Sequence, residues 1–135
     1  MKILLYLQAA VLFIFSANAI AFQPKIEIVE QFDNLRVVAF VDADDVAASP
    51  EWNPNLSPIP LTVGQAIQAV KDFNKGPEAI AAIREIEIRK VPGHESRWHY
   101  LIRISNAQLK TKYDIYVVLM NGKVIPGIIK LDGYR

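Results

Sequence analysis

Cysteine is absent from the chain. That excludes a disulfide scaffold, a thiol nucleophile, a Cys-ligated metal and a lipid anchor attached through Cys. Surplus charge of one sign is missing too, with 15 basic residues against 14 acidic ones. A generalist nucleic-acid binder needs excess Lys and Arg to displace phosphate counterions, so no nucleic-acid partner is expected. The sequence holds no Gly-x-Ser-x-Gly elbow, phosphate loop or dinucleotide fingerprint. What it has in quantity is apolar side chains, 52% of 135 residues. A chain this apolar and this long can bury one core, and it is not a disordered one.

The first 21 residues read as a cleavable signal peptide. Lys2 is a minimal positive region, and Ile3 to Phe15 is apolar except for Gln8. Ala17-Asn18-Ala19 and Ala19-Ile20-Ala21 both carry the small-residue spacing of a signal peptidase site, so cleavage falls after Ala19 or Ala21. As a helix the apolar run spans roughly 20 Å, short of the roughly 30 Å of hydrocarbon in a bilayer. The expected product is periplasmic or secreted, with no stable membrane anchor after cleavage.

Residues 22–135 read as a single α+β domain. Lys25 to Glu30 alternates with period 2, Leu35 to Val41 is β-branched and apolar, and Asp33-Asn34 stands between them, which predicts an N-terminal hairpin over 25–42. Four of eight prolines fall in residues 49–60, an extended loop. Thr62 followed by Gln65 is a capping box, and Val63, Ala66, Ile67, Val70 and Phe73 form an apolar stripe, so a helix is expected over 61–75, stopped by Gly76-Pro77. A second short helical turn is expected over 77–82. Strands follow within 84–131: 84–91 with a Pro92-Gly93 turn, 97–104, 113–120 with an Asn121-Gly122 turn, and an edge strand 123–131. The predicted architecture is one main helix packed on an antiparallel sheet of three to four strands, preceded by the hairpin, with the helix lying on a face made by Trp98 and Ile115.

Leu61-Thr62-Val63-Gly64-Gln65-Ala66-Ile67, the strands around Ile86, Tyr100 and Ile115, and Gly122-Lys123-Val124 after the last long strand resemble PepSY-like domains of exported bacterial proteins. The resemblance covers residues 61–125, with Met120-Asn121 where that pattern usually has an acidic residue. It implies a non-catalytic domain linked to inhibition or restraint of peptidases at the cell envelope.

Candidate chemistry is sparse. His94 and His99 are the only histidines and Glu95 the only acid beside them, too few ligands for zinc. Asp42-Ala43-Asp44-Asp45 groups three carboxylates but lacks the glycine and distal glutamate of a calcium loop. Asn55-Leu56-Ser57 matches a glycosylation acceptor but is followed by Pro58. No catalytic residue, metal or cofactor is expected. Charge is unevenly spread: residues 22–60 carry a net −5 and residues 61–135 a net +5. An acidic element neutralising a basic body, or a polar molecule orienting a charged partner, would both produce this.

Binding is better supported. Arg97, His99, Leu101 and Arg103, with Tyr116, Val118 and Met120, are assigned to the sheet's second face. Either the hairpin or the proline-rich loop covers that face, or it is an aromatic, Met and Arg patch of the kind enriched at interfaces. Trp52, in the proline-rich loop, is either a core plug or a partner anchor. On the interface reading, Leu101→Ala or Tyr116→Ala lowers affinity for a protein partner in the envelope and leaves stability unchanged. The alternative is a small envelope ligand carrier or hydrolase with a pocket between helix and sheet. A monomer or a homodimer through the 123–131 edge is compatible with both.

Overall fold

A computed structural model describes residues 24–32, 34–75, 83–106 and 112–131. The segment expected to be a signal peptide, Gly76-Pro77 and the helical turn expected over 77–82 lie outside the described residues. Seven strands and two helices follow in the order β1 (Ile26–Phe32), β2 (Leu35–Val41), α1 (Ala43–Ala48), α2 (Val63–Asn74), β3 (Ile83–Val91), β4 (His94–Ser105), β5 (Tyr113–Leu119), β6 (Val124–Pro126) and β7 (Ile128–Leu131). The strands form two antiparallel sheets, β1-β2-β7 and β3-β4-β5-β6.

This corrects the predicted architecture of one main helix on one sheet. Among the described residues the fold is mostly strand, 51% against 19% helix, with sheets of three and four strands and two short helices. The reason lies at Gly127. The segment read as a single edge strand breaks there, so that β6 pairs with β5 while β7 leaves that sheet and pairs with β2, Val37 opposite Ile129. The N-terminal hairpin thereby becomes two strands of a second sheet laid over the first.

Two cores result, one on each face of the four-stranded sheet. Between the sheets lie Ile28, Val37, Ala39, Val41, Leu101, Ile115, Val117 and Leu119. Beneath α2 lie Ala66, Val70, Tyr100, Ile102, Ile104, Val118 and Met120. The register of β4 against β5 sets which residues belong to which, pairing Tyr100 with Val118, Ile102 with Tyr116 and Leu101 with Val117. Ile115 is therefore on the face away from the helix, not beside Trp98 as predicted. A strand apolar on both faces satisfies period 2 in either orientation, and only pairing decides between them.

α2 begins as its sequence requires. The Gln65 amide donates to Thr62 Oγ1 (3.2 Å) and the Thr62 amide donates to Gln65 Oε1 (2.9 Å). The helix ends on Lys75 in the left-handed conformation, φ 51°. α1 went unpredicted. Asp44 and Asp45 sit in its first turn, where the helix dipole favours anions, Val46 reaches the inter-sheet core, and Asp45 pairs with Lys123 at 2.7 Å. Where β1 overlies β3 and β4, ion pairs line the seam: Glu30 accepts from Arg89 (2.5 Å) and Arg103 (3.3 Å), and Arg103 also meets Glu85 (3.1 Å). No helix among the described residues is long and apolar enough to cross a membrane.

Candidate binding site

Proline spacing makes the segment 49–60 irregular, and β4 holds it in place. Arg97 donates to the Ser49 carbonyl and pairs with Glu51 at 3.5 Å. The Trp52 amide donates to the Ser96 carbonyl (3.0 Å), and the Trp98 indole N–H donates to the Trp52 carbonyl (3.0 Å). Beyond the loop, the Tyr100 hydroxyl donates to the Leu61 carbonyl (2.6 Å). Three consecutive residues of β4, Ser96 to Trp98, together with Tyr100 thus hold a loop whose prolines have already restricted φ, which lowers the entropy lost on ordering it.

Within the loop the chain turns tightly. The amides of Leu56 and Ser57 donate to the Asn53 carbonyl (3.0 and 3.2 Å), the Asn55 amide donates to Asn53 Oδ1 (3.0 Å), and the Trp52 indole N–H donates to the Ser57 carbonyl (3.0 Å). Leu56 is pushed outward by this turn and is 82% exposed. Below it the rings of Trp52 and Trp98 meet edge to face at 5.2 Å, and Lys90 Nζ lies 5.4 Å from the Trp98 ring centre. Trp52, Asn53, Asn55, Lys90, Glu95 and Trp98 line an open cleft of about 530 Å³. A rigid loop offering an apolar knob beside an aromatic cleft can dock into a complementary pocket. At its base the exposed Ser96 hydroxyl donates to Glu51 Oε1 at 3.4 Å.

The residues assigned from sequence to one face are divided between two. His99, Leu101 and Arg103 point toward the three-stranded sheet and Arg97 toward the 49–51 segment, whereas Tyr116, Val118 and Met120 point toward α2. His99, Leu101, Val118 and Met120 are buried. Arg103 is held by Glu30 and Glu85 and lies over the rings of Phe32 and Tyr113 (5.0 and 5.5 Å). Tyr116 donates its hydroxyl to Asn74 Oδ1 (3.1 Å) and meets Phe73 edge to face. Tyr116, Val118 and Met120 come together beneath α2, while Trp52 and Arg97 both sit at the base of the loop, Arg97 through Ser49 and Glu51. They do not form one exposed patch. Leu56, Lys90 and Trp98 were missed as site residues. The available signal was an apolar residue inside Asn53-Pro54-Asn55-Leu56-Ser57-Pro58, where every neighbour favours a turn.

Ionisable groups add little chemistry. Glu85 and Glu87 share a hydrogen bond on β3, which raises the Glu85 carboxyl above its ordinary range and lowers that of Glu87, with Arg89 lowering Glu87 further. Among the described residues no group of three or more His, Cys, Asp or Glu is arranged to hold a metal. The space between α2 and the sheet is filled by Tyr100, Ile102, Val118 and Met120.

His99 is the exception with a measurable consequence. It is 1% exposed, and Nδ1 lies 3.1 Å from the Tyr100 carbonyl. Burial pushes the imidazole below its ordinary value, and Arg89 adds to this, against the carbonyl contact. Above about pH 6.5 both folded and unfolded states hold it neutral. As pH falls from there toward the lower folded value, the unfolded state takes up the proton first. Stability should therefore fall by up to about 1.4 kcal/mol per pH unit. Urea midpoints at pH values on either side of about 6.5 should show a shallower acid slope for His99→Gln than for the wild type. Parallel slopes would mean His99 does not titrate in this way.

No family model, curated protein or solved structure matches the chain.

Proposed function

We propose that this chain is an exported, non-catalytic protein-binding module that docks the Leu56 loop into an apolar pocket of an enzyme at the cell envelope and thereby restrains it. The observation that carries this reading is a leucine, 82% exposed, on a turn that contains Pro54 and Pro58 and is tied to β4 by hydrogen bonds at Trp52. Leaving a leucine in water forgoes about 2 kcal/mol of burial, which a partner's pocket would recover. The preorganised loop would then lose little entropy on binding. Because the tip is a turn and not an extended strand, it would enter a pocket as a knob and not lie along a peptidase cleft as a substrate does. The signal-like N-terminus and the resemblance of residues 61–125 to PepSY-like domains supply the compartment and the inhibitory role.

The test is a photo-cross-linking side chain at position 56 of the full chain, in its own envelope, followed by reconstitution with the purified captured protein. Leu56→Asp is expected to weaken that complex by about 50-fold, near 2 kcal/mol, as for a central anchor. Its melting temperature should match the wild type, because an exposed residue supports nothing beneath it. Unchanged affinity with Asp at position 56 would sink the proposal.

A further inference from the structure

The opposite end of the β3–β4 hairpin carries a second cleft, of about 460 Å³, lined among the described residues by Arg84, Ser105, Lys112 and Tyr113. Arg84 lies near the start of β3 and Lys90 near its end, so this cleft and the Trp52–Trp98 cleft are separated by roughly 20 Å of strand.

We propose that this cleft binds a phosphate group. Arg84 Nε donates to Ser105 Oγ at 2.6 Å, which holds the guanidinium at the rim with no bond from its two terminal nitrogens to another described residue. Ser105 accepts that bond with its oxygen and keeps its own proton to donate. Neither Arg84 nor Lys112 has an acidic partner among the described residues, although Arg89, Arg97 and Arg103 each do. The nearest acids are directed elsewhere. Glu85 is taken by Arg103 at 3.1 Å. Asp114 is opposite Ile104 in the β4–β5 register, so it lies on the other face from the Ser105–Tyr113 pair, where it accepts from Asn106 at 2.9 Å. Two cations without an acidic partner among the described residues, and a hydroxyl, lining one concavity suit a multi-oxygen anion. The planar fork of arginine matches phosphate geometry, and lysine adds a point charge.

Lys112 adds a second, independent feature. Its φ is 60°, a left-handed conformation that disfavours any residue with a Cβ. The Asn106 amide donates to the Lys112 carbonyl at 2.7 Å, which ties the Lys112 backbone to the end of β4 beside the cleft. Glycine would suit this backbone better, so Lys112→Gly removes the charge while relieving the backbone.

The probe is inorganic phosphate, titrated into the full mature chain and followed by amide chemical shifts, against sodium chloride at equal ionic strength. Saturable shifts at positions 84, 105 and 112 are expected. Arg84→Gln and Lys112→Gly should each weaken binding about tenfold, the scale of one charge-assisted hydrogen bond, whereas Lys71→Gln on α2 should not. Lys112→Gly should raise the melting temperature while it weakens binding, so lost binding cannot be assigned to lost folding. Sedimentation with phosphatidylglycerol vesicles, and not with phosphatidylcholine vesicles, would identify the source as a lipid headgroup. Phosphate titration without vesicle binding would identify a soluble phosphate. Shifts that do not saturate, or that are equal in Lys112→Gly and Lys71→Gln, would overturn the proposal.

Discussion

Gly127→Ala is expected to lower the unfolding free energy by about 3 kcal/mol, the upper range for overpacking a tight core. A Cβ at this position would lie 2.6 Å from Val37 Cγ1, 3.2 Å from the Ile115 carbonyl oxygen and 3.4 Å from Ile115 Cβ. Val37 cannot easily give way, because it is β-branched and buried between the sheets. The backbone cannot retreat either, since the Gly127 amide donates to the Ile115 carbonyl at 2.8 Å. The collision falls where the chain passes from the four-stranded to the three-stranded sheet, so relief would loosen β7 from β2. Gly122→Ala is the matched control. Its added Cβ would meet nothing within 4 Å, and only its φ of 88° resists a side chain. It should cost about 1 kcal/mol. Urea unfolding of both variants tests the pair, and Gly127→Ala within about 0.5 kcal/mol of wild type would refute the sheet-switching role.

Leu101→Ala should destabilise by a similar amount, about 3 kcal/mol within the usual span for emptying a leucine site. Leu101 is 1% exposed, sits opposite Val117 and Glu87 in the sheet, and packs in the core with Leu119 and Ile115. For a domain of this size the loss corresponds to a melting temperature lower by roughly 10 °C. The interface reading of this face requires the opposite, weaker partner binding at unchanged stability. Leu56→Ala gives the contrast within one residue type, because a leucine so exposed leaves no cavity when it is shortened. A Leu101→Ala protein that melts with the wild type would show that the second sheet does not cover this face.

The features legible in the residues are those set by neighbours along the chain. Thr62 and Gln65 cap α2 through groups three residues apart, and the Asp33-Asn34 step lies between two runs that form β1 and β2. The turns at Gly93 and Gly122 take the positive φ that only glycine adopts freely. Even α1 had a local signature, acids at 44 and 45 ahead of Val46, although Asp42, Asp44 and Asp45 fit a solvated strand end equally well. The candidate loop was legible in part: its prolines and Trp52 stood out, whereas Leu56 did not.

By itself, then, the sequence determined the strands, the capped helix, the turns and the rigidity of the 49–60 loop, because each depends on contacts a few residues long. Tertiary structure alone decided which sheet β7 joins, which face of β5 meets the helix, and that Leu101 is core while Leu56 is surface. Those outcomes depend on pairs such as Val37 with Ile129 and Tyr100 with Val118, far apart in the chain. A period-2 pattern divides a strand's side chains into two sets, but it does not say which set faces which partner.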